Sequence, residues 1–402
     1  MIDNQKLLEN GIQRLAKTIH DELVSGAKRP VIVLVAGGSA SGKTSIIAER
    51  MKKIFELSHT VLLLSMDDYY CGVPFMDVEK AKGRILNWDE PDALELSLLR
   101  KHLMQLKSGQ AIEKPIYDFK TGTRSGVVGV GISPLQSWDI VIVEGLFALH
   151  DKLVNWGDVK VFVDIGVHGR IVRRILRDVQ RTGQEPQDIL HYFAQIVEPM
   201  HELHVQSTIS RADIVIPNEY SPRIEAEKSG LHTVQGKFKV RIDHGTLRRF
   251  GVEVLNITDQ SDYYYNPPDR DLMMTGEIMR IRHEGGRRIL TYKGPDMADK
   301  DSLFSDRAKF EFEIDSETEQ LFLEIYRQKI RKIQKTRILC RWNGVVFSLD
   351  HVYRADESTN WTLVELGDFL EIRADYEGDV ERFIGRFNLQ KQEAIKRSYF
   401  EM

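Results

Sequence analysis

The stretch Val31-Ile-Val-Leu-Val-Ala-Gly37-Gly-Ser-Ala-Ser-Gly42-Lys43-Thr44 decides the reading of this 402-residue chain. An apolar, β-branched run enters a glycine-rich turn of the form Gly-x-x-x-x-Gly-Lys-Thr. A stretch with helical periodicity, 45–55, follows directly. Strand, turn and helix in that order are the context a phosphate-binding loop requires. Glycines let backbone N–H groups converge on phosphate oxygens, and the start of the helix adds positive potential. Gly37, Gly38, Ser39, Ala40, Ser41, Gly42, Lys43, Thr44 and Ser45 are the expected nucleotide-binding residues. Lys43 can neutralise the β- and γ-phosphates, and the Thr44 hydroxyl can ligate Mg²⁺. Binding of a nucleoside triphosphate or a similar polyphosphate is the direct implication.

Working outward, 402 residues exceed one compact core, so two domains are expected. An apolar fraction of 42 % and a charged fraction of 29 % are ordinary for a globular protein. A net charge of −4 supplies no general attraction to nucleic acid or membrane, and neither is expected as a partner. Cys71 and Cys340 lie too far apart in sequence for a metal-binding spacing or a disulfide framework, which fits a reducing cytoplasm. No apolar run reaches the roughly 18 residues that span a bilayer. The first 29 residues read as an amphipathic helix carrying Leu8, Ile12, Leu15, Ile19 and Leu23 on one side.

Residues 30–217 alternate short apolar strands (31–36, 61–65, 140–143, 159–164, 213–217) with helical patterns, which signals an α/β doubly wound parallel sheet. Residues 218–231, with Pro222 and Gly230, read as a linker. From 232 to 402 the period changes to two. Alternation at 237–242, 279–282 and 309–314, further strands at 290–293, 336–342, 345–353 and 363–372, and a helix over 316–329 describe a mostly antiparallel, α+β second domain with a helical tail.

The chemistry of the first domain follows from strand ends, which line the ligand crevice of a doubly wound sheet. Ile140-Val-Ile-Val-Glu144 places a carboxylate there, so Thr44 and Glu144 are the expected metal ligands. Ser65-Met-Asp67-Asp68 ends another strand, and Asp67, nearer the strand end, can accept a proton from an attacking hydroxyl. The segment 169–181 reads as a helix with an apolar stripe opposite Arg170, Arg173, Arg174, Arg177 and Arg181. Such a helix can close as a lid and stabilise a transferring phosphoryl group.

Six motifs then recur together: the phosphate loop, Ser65-Met-Asp-Asp-Tyr-Tyr70, Asn87-Trp-Asp89-Glu-Pro-Asp92, Pro115-Ile-Tyr117-Asp-Phe119, Val143-Glu-Gly-Leu146 and Arg174-Ile-Leu-Arg177-Asp178. In this order, over residues 30–217, they resemble the uridine kinase/phosphoribulokinase family. The resemblance implies an ATP-dependent, Mg²⁺-requiring phosphotransferase. It implies Asp67 as the base, Lys43 and Arg177 as catalytic cations, Asp89 as a ribose-hydroxyl ligand, and Tyr117 and Phe119 beside the acceptor. Arg124 and Arg173 complete the expected acceptor set. Two positions depart from the family: Gly122 stands where uridine kinases usually carry a base-reading His, and His191 where a Gln usually precedes Tyr.

In the second domain, cations and carboxylates alternate on strand faces. Lys237, Lys239 and Arg241 share one face, and Arg280 with Arg282, Glu311 with Glu313, and Glu371 with Arg373 share others. A closed barrel could turn these inward, where the cations would hold a polyphosphate. Met279-Arg-Ile-Arg282, Leu290-Thr-Tyr-Lys-Gly-Pro295, Arg307, Phe310-Glu-Phe-Glu313, Lys335-Thr-Arg337 and Leu366-Gly-Asp-Phe-Leu-Glu371 resemble the CYTH domain of triphosphate tunnel metalloenzymes over about residues 232–375. Lys239, Arg280, Arg282, Lys293, Arg307, Glu311, Glu313, Lys335, Arg337 and Glu371 are the expected polyanion- and metal-binding residues of that tunnel. The family's opening Glu-x-Glu-x-Lys strand is absent, and its closing Glu-x-Glu reads Glu371-Ile-Arg373. The tandem order resembles plant triphosphate tunnel proteins associated with pyrophosphate hydrolysis. The polar run 390–402 replaces their membrane segment, so no anchor is expected.

The sequence therefore favours a kinase acting on a nucleoside or another small hydroxyl compound. A pyrophosphate or nucleotide hydrolase with a sensing tunnel is the alternative, and a homo-oligomer is left open.

Overall fold

The computed structural model describes residues 4–26, 29–81, 83, 87–130, 138–218, 232–239, 247, 249–298, 302, 304–373, 377–389, 394–395, 398–400 and 402. Most of the linker (219–231), Arg241, and the side chains of Arg181 and Arg373 lie outside the described set. The chain divides into two units, residues 1–174 with 192–220, and 175–191 with 221–402.

In the first unit β1 (Val31–Gly37), β2 (Val61–Ser65), β5 (Ile140–Glu144), β6 (Val159–Asp164) and β7 (Ile214–Pro217) form a sheet in the order β2-β5-β1-β6-β7. All these pairings are parallel. Every residue of β1 and β5 is buried. The cause is visible in the packing: Ile32, Leu34 and Ala36 enter one apolar cluster, while Val31, Val33 and Val35 enter another on the opposite face. Successive side chains of a strand point to opposite faces, so an unbroken apolar run fits a sheet covered on both sides. The first cluster includes Leu99 and Leu103 of α4 (Leu96–Lys107). The second includes Ile12, Leu15 and Ile19 of α1 (Asn4–Val24) and Met51 of α2 (Glu49–Phe55). Burying each of these aliphatic side chains contributes about 1.5–3 kcal/mol over leaving it in water.

All five expected strand ranges in this unit agree with the observed ones to within a residue at either end. A hairpin, β3 (Ile112–Asp118) with β4 (Thr123–Val130), was not anticipated. Pro115, Gly126 and Gly129 interrupt its alternation, and proline and glycine are poor signals of strand.

The second unit contains a closed barrel of eight strands. Their order is β10-β11-β12-β8-β15-β14-β13-β9. The strands are β8 (His232–Lys239), β9 (Glu253–Asn266), β10 (Ile278–Glu284), β11 (Arg287–Lys293), β12 (Phe304–Ile314), β13 (Gln328–Trp342), β14 (Val345–Ala355) and β15 (Val364–Arg373). All neighbours pair antiparallel. β9 was not expected as a strand, because Asn256, Thr258, Asp259, Gln260 and Asp262 make it read as a loop. The helix expected over 316–329 ends at Ile325, since β13 already begins at Gln328. Asp315 caps that helix by accepting from Thr318 N at 2.7 Å. Among the described residues, no helix is long and apolar enough to cross a membrane.

Candidate active site and tunnel

The parallel register brings the first site together. Glu144 lies opposite Val35 on one side and opposite Ser65 on the other, two residues upstream of Gly37. Its carboxylate accepts from Thr44 Oγ1 at 2.8 Å and from Ser65 Oγ at 2.6 Å. Ser65 Oγ in turn accepts from Asp67 N at 3.3 Å, which starts the short turn Met66–Tyr69. A buried carboxylate held by two neutral hydroxyls, one of them the phosphate-loop threonine, is a donor set that fits Mg²⁺. Asp68, the neighbour of Asp67, is engaged by Lys114.

The loop itself is tightly built. Gly42 has φ +85°, and a Cβ there would collide with the Asn218 amide, which donates to Ser41 O. A Cβ on Gly38 would sit 2.8 Å from Arg170 Cδ and 2.9 Å from the His201 ring. Ala40 adopts φ +61°, a left-handed conformation that costs a non-glycine residue roughly 1–2 kcal/mol. Lys43 Nζ rests on Gly38 O at 3.3 Å. His201 is held neutral: burial and the charges of Arg170 and Lys43 lower its pKa to about 3, against a smaller opposing effect of its bond to Gln206. Arg170 pairs with Glu198 at 2.6 Å beneath the loop.

The arginines of α5 (Val167–Thr182) have distinct fates. Arg174 donates to Ser39 Oγ at 3.0 Å, placing its guanidinium on the phosphate loop. Arg173 donates to Asn218 O at 3.3 Å. Arg177, expected to be catalytic, grips the adjacent Asp178 at 2.6 and 3.2 Å.

Around Asp67 and Asp89 the walls are aromatic. Tyr70 packs against Trp88 and Tyr117 with ring centroids 5.7 and 5.5 Å apart, and Tyr117 against Phe119 at 5.1 Å. Burial raises the Tyr70 phenol well above its ordinary range, and the charges of Asp67 and Asp89 add to the effect. Burial beside Asp89 likewise raises Tyr192 to about 12, and its hydroxyl accepts from Trp88 N at 3.3 Å. Asp89 is buried, with its backbone N–H given to Asn87 Oδ1. Arg124, expected at the acceptor, donates to the carbonyls of Tyr69 and Tyr70 and to Glu95. Gly122 closes the turn of the β3–β4 hairpin at φ +65°. Sequence reasoning did not assign Ser65, Tyr70, Arg174, Tyr192, His201 or Asn218. Ser65 and Tyr70 flank Asp67 in a quoted motif, and Arg174 lies in the basic stripe. The contacts of Asn218 and His201 had no local signal.

In the barrel, residues at alternate positions converge inward. Arg280, Arg282, Lys293, Lys335, Arg337 and Glu371 line one pocket, open to solvent. Arg307 lines a neighbouring one, which shares Lys237 and Lys293 with the first. Glu311 sits 3.1 Å from Lys309 and 3.8 Å from Arg280 Nη2. Despite partial burial, these cations lower its pKa to about 2. Lys239 is exposed, with its ammonium 5.9 Å from the Phe369 ring centre, and Glu313 is exposed. Asp262, unassigned from sequence, is the centre of the arrangement: Arg280 donates to it at 2.6 Å and Arg282 at 2.7 and 3.0 Å.

The profile of the phosphoribulokinase/uridine kinase family matches residues 32–224. A uridine kinase of Bacillus pumilus is 40 % identical over 193 residues, covering 47 % of this chain and 87 % of that protein. The chain belongs to the phosphoribulokinase/uridine kinase family. It continues into a CYTH domain, matched over residues 233–399. An inorganic pyrophosphatase of Arabidopsis thaliana is 31 % identical over 284 residues, covering 71 % of this chain. The matched region spans 40 % of that plant protein's length. A solved Pyrococcus horikoshii protein, PH1819, shares 27 % identity over 42 % of this chain and 96 % of its own, with a TM-score of 0.34. The chain thus joins a uridine-kinase-type P-loop domain to a CYTH domain, as the plant relative's match across both segments also indicates.

Proposed function

We propose that residues 30–217 form a Mg²⁺-dependent phosphotransferase that moves the ATP γ-phosphoryl group to a hydroxyl of a nucleoside or similar small acceptor. The observation that carries this reading is the continuous chain Thr44–Glu144–Ser65–Asp67, which brings the carboxylate we assign to the metal and the candidate base to adjacent strand ends. Thr44 and Glu144 would hold Mg²⁺, which when bound neutralises charge on the β- and γ-phosphates. The phosphate loop and Lys43 bind and orient the triphosphate. Arg174, already on the loop, balances charge on the transferring oxygens, and Arg177, here bonded to Asp178, is the second lid cation. Asp67 accepts the proton of the attacking hydroxyl, Asp89 accepts from a second hydroxyl, and buried Tyr70 with Tyr117 excludes water around them, Phe119 standing exposed beside Tyr117. We place this chemistry in the cytoplasm, with the barrel of residues 232–402 as a polyanion-binding partner domain.

A second reading is hydrolysis of pyrophosphate or a nucleotide, with water in the place of the acceptor hydroxyl. It is favoured by the similarity to the plant pyrophosphatase, which extends across both domains. Incubation with Mg²⁺ and either ATP plus a nucleoside panel or pyrophosphate alone separates the two. A nucleoside monophosphate lost in Asp67→Asn supports the kinase. Orthophosphate formed from pyrophosphate without an acceptor, with every nucleoside left unphosphorylated, replaces it by the hydrolase.

A further inference from the structure

A CYTH domain implies a divalent metal, and the carboxylates of this barrel do not fit one. Asp262 is clamped by Arg280 and Arg282, with Lys335 Nζ at 3.9 Å. Asp350 is clamped by Arg337 at 2.6 and 2.7 Å, with Lys335 at 3.4 Å and the Tyr399 hydroxyl donating at 3.0 Å. Glu371 lies 3.3 Å from the same Arg337, and Glu311 lies between Lys309 and Arg280. Antiparallel register imposes most of this: Asp262 faces Arg282, Asp350 faces Arg337, and Glu371 faces Lys237.

The balance of charge points the other way. Beyond the six cations just named with carboxylates, Lys293 and Arg307 line the same two pockets. Among the described residues, eight cations therefore accompany these four carboxylates. A divalent cation would have to displace guanidinium groups and then sit among like charges, whereas phosphate oxygens match guanidinium and ammonium donors directly. The ring of Tyr399 lies 3.9 Å from Lys237 Nζ and 4.9 Å from Lys335 Nζ, which holds both ammonium groups at the cavity wall.

We propose that the barrel is a metal-independent receptor for a condensed phosphate chain, held by Arg280, Arg282, Lys293, Lys335, Arg337 and Lys237 alone. This rests on the polyanion-binding reading of the domain and adds that no divalent ion takes part. The chain could be free or carried by a nucleotide.

The test is calorimetric titration of the full chain carrying Lys43→Ala, which removes the phosphate-loop lysine, with inorganic triphosphate in EDTA and again in excess Mg²⁺. ATP in EDTA forms a second arm: binding at comparable strength makes the nucleotide the source, and binding of triphosphate alone makes it the free anion. One site per chain in EDTA is expected, weakened severalfold by Mg²⁺, which competes for the phosphate oxygens. Lys293→Gln and Lys237→Gln should each weaken binding at least tenfold. Should either fail to fold, a rise in the melting temperature of the unsubstituted chain with triphosphate in EDTA, retained in Lys43→Ala, gives the same answer. Binding that appears only with Mg²⁺ overturns metal independence and leaves the polyanion reading standing. No binding in either condition overturns both. Mg²⁺-dependent turnover by the unsubstituted chain reports separately on the P-loop domain.

Discussion

Two buried carboxylates, Glu144 in the P-loop domain and Asp262 in the barrel, have opposite surroundings. Glu144 is held by the hydroxyls of Thr44 and Ser65. Asp262 is held by two guanidinium groups and approached by an ammonium. Hydroxyls orient a carboxylate and leave its charge uncompensated, so it can still take a cation. Guanidinium groups satisfy both its geometry and its charge, and that carboxylate becomes structural. The same residue class thus serves the proposed metal site in one domain and the scaffold in the other, and the neighbours decide which.

Replacing each carboxylate by its amide should break this comparison most sharply. Glu144→Gln keeps hydrogen-bonding capacity toward both hydroxyls but removes the charge. Turnover with Mg²⁺ should fall about 10³-fold, or about 4 kcal/mol in the barrier, while the denaturation midpoint moves little. Asp262→Asn leaves Arg280, Arg282 and Lys335 without their common counter-ion. It should cost about 3–5 kcal/mol of stability, read by chemical denaturation, with catalysis by the P-loop domain retained in the folded fraction. A stable Asp262→Asn, or an active Glu144→Gln, would erase the distinction.

The lid arginines sharpen it next. Arg174 contacts the phosphate loop and Arg177 contacts Asp178. Arg174→Met should lower kcat about 10²–10³-fold, as for loss of a charge-stabilising donor, and Arg177→Met about fivefold or less. Equal losses would mean that the lid rearranges during turnover to bring Arg177 to the phosphates.

The smallest expected effects are on pH dependence, and they belong to the barrel. Burial, reinforced by Arg337 and Arg282, lowers the Lys335 pKa to about 7 against the opposing pull of Asp350 and Asp262. Its folded pKa lies below its ordinary value of about 10.5, so the unfolded chain holds this proton more tightly. The group's contribution to stability is therefore least favourable below pH 7 and improves as pH rises toward 10.5. Anion binding runs in the opposite sense, because Lys335 gains charge as pH falls. Triphosphate affinity should rise about three- to tenfold between pH 8 and 6.5, and Lys335→Met should flatten that profile. Glu311, lowered to about 2, contributes stability above about pH 4.5 and loses it as pH falls toward 2. An acid melting curve of Glu311→Gln against the unsubstituted chain should diverge above that window and converge below it.

The sequence by itself determined the P-loop fold and supplied most of the residues proposed for its chemistry. An apolar run into a glycine turn admits few local structures, and Lys43, Thr44, Asp67 and Glu144 stand at positions defined by that run or by the ends of neighbouring strands. It also determined which residues of a barrel strand share a face, since that period is two. Tertiary structure decided what those residues do. Closure of the sheet turned the charged faces inward and set β9 between β10 and β13, which brought Asp262 to Arg280, Arg282 and Lys335. The polar sequence of β9 carries no sign of this, because a buried charge becomes tolerable only when its counter-ions arrive from other strands. Parallel register likewise set Ser65 beside Glu144 across 79 residues of chain, and folding back of the chain brought Asn218 to Ser41 and His201 beneath Gly38. Local chemistry can be read along a chain, whereas charge compensation depends on neighbours supplied by the fold.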